Sequence, residues 1–185
     1  IVSINQPAYM PWLGYFDRID ASDIHIVLDH VQFEKNSMVN RNKIRNAQNW
    51  SWLTVPVETK GQFGQLDIAS IKIADHGRWS RKHWNALQSN YARTSNFSEH
   101  ASFLEAFFKE HATEARLASV IDNLNRYFQT ALGISTEIHR SSTMESRDHK
   151  SELVLSLCRE IGATTYLSGP FGRKYLDRSA FESAN

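Results

Sequence analysis

Residues 1–33, IVSINQPAYMPWLGYFDRIDASDIHIVLDHVQF, decide the fold of this chain. Two short apolar runs, at 1–4 and 24–28, are typical of β-strands. Between them, over 13–19, leucine, phenylalanine and isoleucine recur at helical spacing. The stretch therefore predicts a β-α-β unit, whose parallel strands carry ligands beyond their carboxyl ends.

Polar side chains stand at both predicted strand ends. Gln6 follows the first strand, and Asp29, His30 and Gln32 follow the second. The opening unit therefore predicts a ligand site made of one turn after each strand.

The last third of the chain repeats this pattern. We predict a strand at 136–140, a helix at about 150–161 that ends at Gly162, and a strand at 164–167. The turns after these strands carry Ser141 in one case and Ser168 with Gly169 in the other. Since the carboxyl ends of parallel strands lie at one edge of a sheet, we expect the four turns to meet there.

The middle of the chain is mostly helical. Apolar residues at helical spacing predict three helices within an insertion at about 78–132. Before it, 34–39 is interpreted as a polar loop, followed by a donor-rich run at 40–46 that is also taken as a loop. Residues 50–57 are predicted to form a strand, and 66–73 a half-buried or edge strand. The predicted fold class is α/β: a single domain over 1–185 with a Rossmann-like, mainly parallel sheet from two β-α-β units and a helical insertion.

The composition favours a globular protein that binds a small molecule. A net charge of +1 argues against binding nucleic acid by bulk electrostatics. No apolar run approaches the roughly 20 residues that span a membrane, and no signal peptide is evident. The single cysteine, Cys158, excludes an internal disulfide, so we expect a cytoplasmic protein.

The turn after the first strand is stiff and carries recognition groups. Pro7 and Pro11 fix the backbone around Gln6, Tyr9 and Trp12, so that these side chains lose little entropy on binding. An amide with two aromatic rings suits a sugar or a nucleobase. The alternative is that Trp12, Tyr15 and Phe16 form the core face of the first helix.

Asp29 and His30 offer a carboxylate beside an imidazole. Such pairs recur as a general base with its orienting partner, and as metal ligands. Adjacent residues of an extended chain point to opposite faces, so only one of the two is expected to face a given substrate. Asp29 or His30 is therefore the candidate catalytic base, and the alternative is a structural role.

The run at 40–46 is dense in hydrogen-bond donors. Arg41 offers a bidentate fork to phosphate or carboxylate, Lys43 a point charge, and Asn40 an amide. This is the best anion-binding candidate in the sequence. The alternative is an exposed, solvated loop.

Several familiar sites find no support in the sequence. The loop at 168–172 contains glycines that let a backbone approach a ligand, but no Walker or dinucleotide-binding fingerprint occurs, so no cofactor is identified. The eight histidines are dispersed and His-Glu-x-x-His is absent, so no metal site is predicted. Cys158 lies in an apolar helical run and is expected to pack in the core.

Five segments, in chain order, resemble the WbqC-like protein family. They are Gln6-Pro-x-Tyr9-x-Pro11-Trp12-x-Gly14-Tyr15-Phe16, Leu28-Asp29-x-Val31-Gln32-Phe33, Asn40-Arg41-Asn42-x-Ile44, Trp52-Leu53-x-Val55-Pro56-Val57, and Tyr166-Leu167-Ser168-Gly169 with Tyr175-Leu176-Asp177. The resemblance extends over essentially the whole chain. It also implies a longer protein, with a further C-terminal strand and an aromatic-rich tail.

The resemblance implies a bacterial enzyme of O-antigen or other lipopolysaccharide biosynthesis. The implied activity is a transferase that moves an acyl or aminoacyl group, such as glycine, onto a nucleotide-linked sugar, so the expected partner is a small anionic substrate. Asp29 or His30 is expected to act as the base, and Arg41 and Lys43 are expected to bind the anionic group of the substrate. The residues expected to orient the substrate are Gln6, Gln32, Asn40, Ser141, Ser168 and Gly169. Those expected to stack on it are Tyr9, Trp12 and Tyr175. The alternative is a non-catalytic ligand-binding or scaffold protein of a polysaccharide assembly complex.

Overall fold

The structure is a computed structural model that describes residues 1–61, 64, 66–75 and 77–184. The strands in this part of the chain are β1 (Val2–Asn5), β2 (Ile24–Val27), β3 (Arg41–Asn46), β4 (Asn49–Thr54), β5 (Glu137–Arg140) and β6 (Tyr166–Leu167). The helices are α1 (Leu13–Asp20), α2 (Arg78–Tyr91), α3 (Phe97–Glu110), α4 (Leu117–Ala131), α5 (Lys150–Glu160) and α6 (Arg178–Glu182). The chain divides into two compact units: Ile1–Pro7 with Trp12–Val31 and Phe128–Asn185, and Ala8–Pro11 with Gln32–Tyr127.

The first unit is built on a four-stranded parallel sheet in the order β5-β2-β1-β6. β1 pairs with β2 over four residues, from Val2 opposite Ile24 to Asn5 opposite Val27. β2 pairs with β5 over four residues, whereas β6 pairs with β1 at only two positions. The predicted α/β class with a mainly parallel sheet is confirmed, and the second predicted β-α-β unit places β5 and β6 at opposite edges of the sheet.

Apolar side chains on one face of this sheet pack against α5. Val2 and Ile4 of β1 and Ile26 of β2 are at most 5% exposed and share a core cluster with Leu157. Cys158 belongs to the same cluster, which confirms its expected packing role. Burial raises the pKa of its thiol to about 11.

The opposite face of the sheet carries a buried polar group beside α1. The hydroxyl of Ser3 lies 2.7 Å from the Ser22 hydroxyl and 2.8 Å from Nδ1 of His25. The His25 ring meets Tyr15 of α1 edge to face, with centroids 5.9 Å apart. Burial lowers the pKa of His25 to about 3, so its imidazole is neutral at physiological pH.

The second unit contains an antiparallel hairpin of β3 and β4, from Arg41 opposite Thr54 to Asn46 opposite Asn49. The interpretation of the run at 40–46 as a loop is therefore wrong, because β3 covers Arg41–Asn46. Ile44 is the one apolar residue of β3, so the apolar alternation that marks most strands is absent there. The predicted strand at 50–57 is present as β4 and ends at Thr54.

The prediction of a continuous strand at 66–73 is wrong, although Asp67, Lys72 and Ile73 each form an isolated β-bridge. A 3-10 turn at Ile68–Ser70 interrupts it. Ile68 is 1% exposed and Ile71 0%, so the apolar spacing reflects side chains that point inward on both sides of a tight turn. The alternation of apolar and polar residues is broken at Ala69 and Ser70, which lie within this turn.

The remainder of the second unit is helical, with α2, α3 and α4 as far as Tyr127, as the spacing predicts. The apolar residues along α4, which are Leu117, Val120, Ile121 and Leu124, are at most 1% exposed. The strands β3 and β4 belong to the same compact unit as these helices. The prediction of one domain with a helical insertion at about 78–132 stays a prediction. Across the described ranges, no helix has both the length and the apolar character that membrane crossing requires.

Candidate functional site

The carboxyl edge of the parallel sheet gathers four strand-end turns of the first unit. In the order β5, β2, β1 and β6, these turns carry Ser141, Asp29, Gln6 and Ser168. Because β6 pairs with only the first half of β1, its turn leaves the sheet earlier than the others. This edge is where open α/β sheets bind their ligands.

Asp29 is the centre of a polar cluster that joins the ends of β2 and β5. Its carboxylate, 1% exposed, accepts hydrogen bonds from Oγ of Ser141 (3.1 Å), from N and Oγ of Ser142 (both 2.9 Å) and from Nη1 of Arg140 (2.7 Å). In return, the backbone N–H of Asp29 donates to Oγ of Ser141 at 2.9 Å. The structure thus brings the predicted residues Asp29 and Ser141 together.

The hydrogen bonding of Asp29 decides its charge. Burial alone would raise the pKa of Asp29, but the hydrogen bonds from Arg140 and Ser142, with the guanidinium charge, hold it below its usual value. The carboxylate is therefore ionised at neutral pH and both oxygens are engaged. Such a group positions its partners better than it accepts a proton. The role of Asp29 as a catalytic base stays a prediction. The engagement of both its carboxylate oxygens in hydrogen bonds does not support that role.

His30 and Gln6 stand beside this cluster. His30 is half-buried, and its backbone nitrogen lies 3.5 Å from Oγ of Ser141. Gln6 is exposed and follows β1, the strand next to β2. Both positions are at the edge where a ligand is expected, and their predicted roles stay predictions.

The turn after β6 is packed tightly around its glycines. Oγ of Ser168 and the backbone N–H of Gly172 both donate to the carbonyl of Gly169 at 3.0 Å. A Cβ added to Gly172 would overlap Oγ of Ser168, so the turn has no room for another residue type there. Tyr175, which follows, has an exposed ring, as a stacking role requires.

Trp12 lies at the surface directly before α1. Its side chain is 53% exposed, whereas Tyr15 and Phe16 behind it are buried, so the core alternative does not hold for Trp12. Its indole rests against Gly14, where an added Cβ would come within 3.3 Å of Nε1. The spacing Trp-x-Gly therefore leaves room for the ring over the first turn of the helix.

A cleft of about 990 Å³ opens along β6 in the first unit. Residues from α5, β6, α6 and the turns between them line it, and those with polar side chains include Arg159, Thr164, Thr165, Tyr166, Ser168, Arg173, Arg178 and Glu182. Ser168 is the predicted site residue that contributes to this wall. Three guanidinium groups and one carboxylate, that of Glu182 paired with Arg178, give the cleft a net cationic character that suits an anionic ligand.

Two predicted site residues of the second unit, Tyr9 and Asn40, are buried and hydrogen-bonded to other residues of that unit. Tyr9 is 0% exposed, and its hydroxyl lies 2.7 Å from Nδ1 of His83. Burial lowers the pKa of His83 to about 4, so the partner imidazole is neutral. Nδ2 of Asn40, which is 7% exposed, donates to the carbonyl of Val55 at 2.9 Å. Ligand roles for Tyr9 and Asn40 stay predictions that their burial does not support.

The amide of Gln32 is engaged at both ends. Nε2 donates to the carbonyl of Phe33 at 2.9 Å, and Oε1 accepts from the backbone N–H of Leu66 at 3.1 Å. Gln32 also lines a cavity of about 260 Å³ in the second unit, together with Phe33, Glu34, Lys35, Thr59, Gly64 and Leu66. A substrate-orienting role for Gln32 stays a prediction.

Arg41 and Lys43 lie with two tryptophans on one side of the β3-β4 hairpin, which we call the hairpin face. The guanidinium carbon of Arg41 is 4.2 Å from the ring centroid of Trp52, and Nζ of Lys43 is 3.7 Å from that of Trp50. The rings, 44% and 36% exposed for Trp50 and Trp52, meet edge to face at 5.8 Å. The predicted anion-binding pair therefore has aromatic neighbours that hold both cations in place.

Sequence reasoning missed Arg140 and Ser142. Both stand at the predicted end of β5, so a polar strand end was visible there. Their link to Asp29 was not visible, because it depends on β2 and β5 being neighbours in the sheet. Within the ranges that the structure describes, no three His, Cys, Asp or Glu side chains form a group that could hold a metal ion.

Comparison with known proteins agrees with the motifs of the sequence. The profile of the WbqC-like protein family matches residues 6–185. The chain is 37% identical over 181 residues to Uncharacterized protein Rv1507c of Mycobacterium tuberculosis (strain ATCC 25618 / H37Rv), covering 98% of this chain and 77% of that protein. No solved structure matches the chain.

Proposed function

Because the chain belongs to the WbqC-like protein family, we propose that it is an enzyme of bacterial surface-polysaccharide biosynthesis. In this proposal it transfers an acyl or aminoacyl group, such as glycine, onto an amine of a nucleotide-linked sugar. The family supports the polysaccharide context. The observation that supports a catalytic site is the Asp29 cluster at the carboxyl edge of the parallel sheet.

The proposed transfer requires a base and a positive charge. The acceptor amine attacks the carbonyl carbon of an activated acyl donor, the C–N bond forms, the bond to the leaving group breaks, and the amine loses a proton. A base takes that proton, and a cation stabilises the negative charge on the carbonyl oxygen. We assign the base to His30, both of whose ring nitrogens are buried in this structure, and the cation to Arg140, whose side chain is 33% exposed.

Asp29 is a positioning residue in this proposal. Its carboxylate holds the guanidinium of Arg140, whose side chain is 33% exposed and so reaches the solvent side of the cluster. The cleft along β6, at about 990 Å³, is at the upper end of the usual ligand-pocket range of about 300–1,000 Å³. Ser168 lines this cleft and also follows β6 at the carboxyl edge, so a sugar nucleotide in the cleft would extend to that edge.

The test is turnover on a panel of nucleotide-linked amino sugars with activated glycine or acyl donors, followed by mass spectrometry. We expect Asp29→Asn to lower kcat by about tenfold or more, because Arg140 loses a charged hydrogen-bond partner. Glu137→Gln is the matched control, since it neutralises an exposed carboxylate at the other end of β5. Wild-type turnover in both Asp29→Asn and Arg140→Met would show that the site is misplaced.

The hairpin face favours a second candidate function, a non-catalytic protein that binds an anionic saccharide. Exposed tryptophan rings that carry stacked cations offer an aromatic platform and positive charge together. In this case the wild type turns over no member of the panel, and Trp50→Ala weakens binding of an acidic oligosaccharide. Turnover that depends on Asp29 and survives Trp50→Ala would reject this second candidate.

A further inference from the structure

Arg18 of α1 is a half-buried cation whose side chain has no partner among the described residues. Its Nε is buried and makes no hydrogen bond. Within the same described ranges, no carboxylate lies within 4.0 Å of its guanidinium. Removing a charge from water without a partner is costly. Binding of an anionic ligand would therefore offset the desolvation cost of this guanidinium.

The turn after β6 makes room for this guanidinium. A Cβ on Gly169 would overlap Nη1 of Arg18. The backbone of Gly169 does not itself require glycine, because its φ lies outside the left-handed region. The space that glycine leaves is thus occupied by the arginine, which places the fork of donors beside the turn at 168–172.

Three titratable groups close to Arg18 carry no negative charge. Tyr15, His25 and Tyr166 all feel its positive charge, which lowers the pKa of each group, although burial has the larger effect in all three. Burial keeps both tyrosines protonated and the histidine neutral at physiological pH. These three neighbours therefore do not compensate the positive charge of the guanidinium.

We propose that Arg18 and the turn at 168–172 form an anion site that binds a phosphate or carboxylate group of the ligand. The planar guanidinium fork donates two parallel hydrogen bonds to such a group. The hydroxyl of Ser168 lies in the same turn and donates to the carbonyl of Gly169 in this structure, so it must turn away from that carbonyl to reach an anion. Anion binding at this place does not depend on the transfer chemistry. Only the identification of the anion with the phosphate of a nucleotide-linked sugar rests on the proposed function.

The test measures binding of inorganic phosphate, pyrophosphate and malonate by titration calorimetry and by thermal shift, at constant ionic strength. The phosphate and carboxylate probes distinguish the two anion types. We expect Arg18→Met to weaken binding of the preferred anion by about tenfold or more, and Gly169→Ala to weaken it because its methyl group displaces the guanidinium. Arg93→Met, which removes an exposed arginine of the second unit, is the matched control and should bind as the wild type does.

The ligand-free protein gives the sharper readout. Since Arg18 carries an uncompensated charge, the melting temperature of Arg18→Met should equal or exceed that of the wild type, whereas the rise in melting temperature on adding the anion is lost. A lowered melting temperature with retained anion binding would overturn the proposal, as would a wild type that binds none of the three probes. Both readouts are independent of turnover, so a failed transferase assay leaves this result standing, and the reverse also holds.

Discussion

Removing the Asp29 carboxylate should destabilise the first unit far more than a surface substitution does. Asp29→Ala leaves the Ser141 hydroxyl, both donors of Ser142 and the Arg140 guanidinium without their common acceptor. Breaking a buried ion pair costs about 3–5 kcal/mol. Because the Arg140 side chain is 33% exposed, water replaces part of what it loses, and we expect the lower end, about 3 kcal/mol.

Thermal unfolding followed by circular dichroism measures this loss. For a chain of this length, 1 kcal/mol corresponds to about 2–4 °C, so the midpoint should fall by about 6–12 °C. Glu137→Gln is the control and should change stability by no more than about 0.5 kcal/mol, since both Glu137 and its partner His139 are solvent-accessible. Hydrogen exchange at the amides of β2 and β5 then assigns the loss to the first unit.

The pH dependence of stability is an independent check. Because the pKa of Asp29 is lower in the folded protein than in the unfolded chain, the unfolded chain binds the proton more tightly. The contribution of Asp29 is therefore fully present above the unfolded pKa of about 3.9 and is lost as the pH falls through the folded value. We expect a steeper loss of stability below about pH 4 for the wild type than for Asp29→Asn.

Two results would refute this reasoning. One is a midpoint for Asp29→Ala that equals the midpoint of Glu137→Gln. The other is an acid-unfolding profile of Asp29→Asn that superimposes on the wild-type profile. Either outcome would mean that the hydrogen bonds around Asp29 contribute nothing to the folded state.

Three further substitutions or reactions test the packing around other residues. Tyr9→Phe should cost about 1–2 kcal/mol in urea denaturation, because His83 loses its buried partner; unchanged stability with weaker ligand binding would instead favour a ligand role for Tyr9. Gly172→Ala should cost about 1–3 kcal/mol in the same assay, because the new methyl group displaces Ser168, and a wild-type midpoint would contradict the packing of this turn. Cys158 should react with iodoacetamide slowly in the folded protein and quickly in urea, because its thiol is buried with a pKa of about 11; equal rates would contradict its burial.

The parallel sheet could be predicted from the sequence because its signals are local. Apolar runs mark β1 and β2, and helical spacing marks α1 and α5. Gly133 and Gly162 adopt φ values of +73° and +69°, which few other residues tolerate, so they reliably mark the ends of α4 and α5. Once the strands are parallel, the shared edge follows from topology alone.

The hairpin could not be predicted because its stabilising contacts lie between strands. β3 contributes one buried apolar side chain, Ile44, and its charged residues resemble a loop. Their aliphatic and cationic parts are covered by tryptophans of β4, as for Lys43 over Trp50. Cross-strand pairs of this kind stabilise a sheet without any apolar alternation along one strand.

The sequence predicts which turns contribute to the candidate site, but it does not predict what each side chain in those turns contacts. Asp29 was found from its place after a strand, but its saturation by Arg140 depends on a contact across 111 residues of sequence. Tyr9 was likewise predicted to meet a ligand, whereas its hydroxyl meets His83 across 74 residues. The burial of a side chain and the identity of its hydrogen-bond partners depend on the tertiary structure. The sequence therefore identifies candidate groups, but not whether each is already hydrogen-bonded within the protein.

Asp29 and Arg18 show that burial alone does not separate structural charges from ligand-binding ones. Asp29 is buried, Nε of the half-buried Arg18 is buried, and both groups incur a desolvation cost. For Asp29 the fold offsets this cost with four hydrogen bonds, so truncation should destabilise the protein. For Arg18 no described residue offsets it, so truncation should leave the ligand-free protein as stable as before or more so. A loss of stability on truncating Asp29, with unchanged or raised stability on truncating Arg18, would therefore support an anion-binding role for Arg18. A loss of stability in both cases would assign Arg18 a structural role.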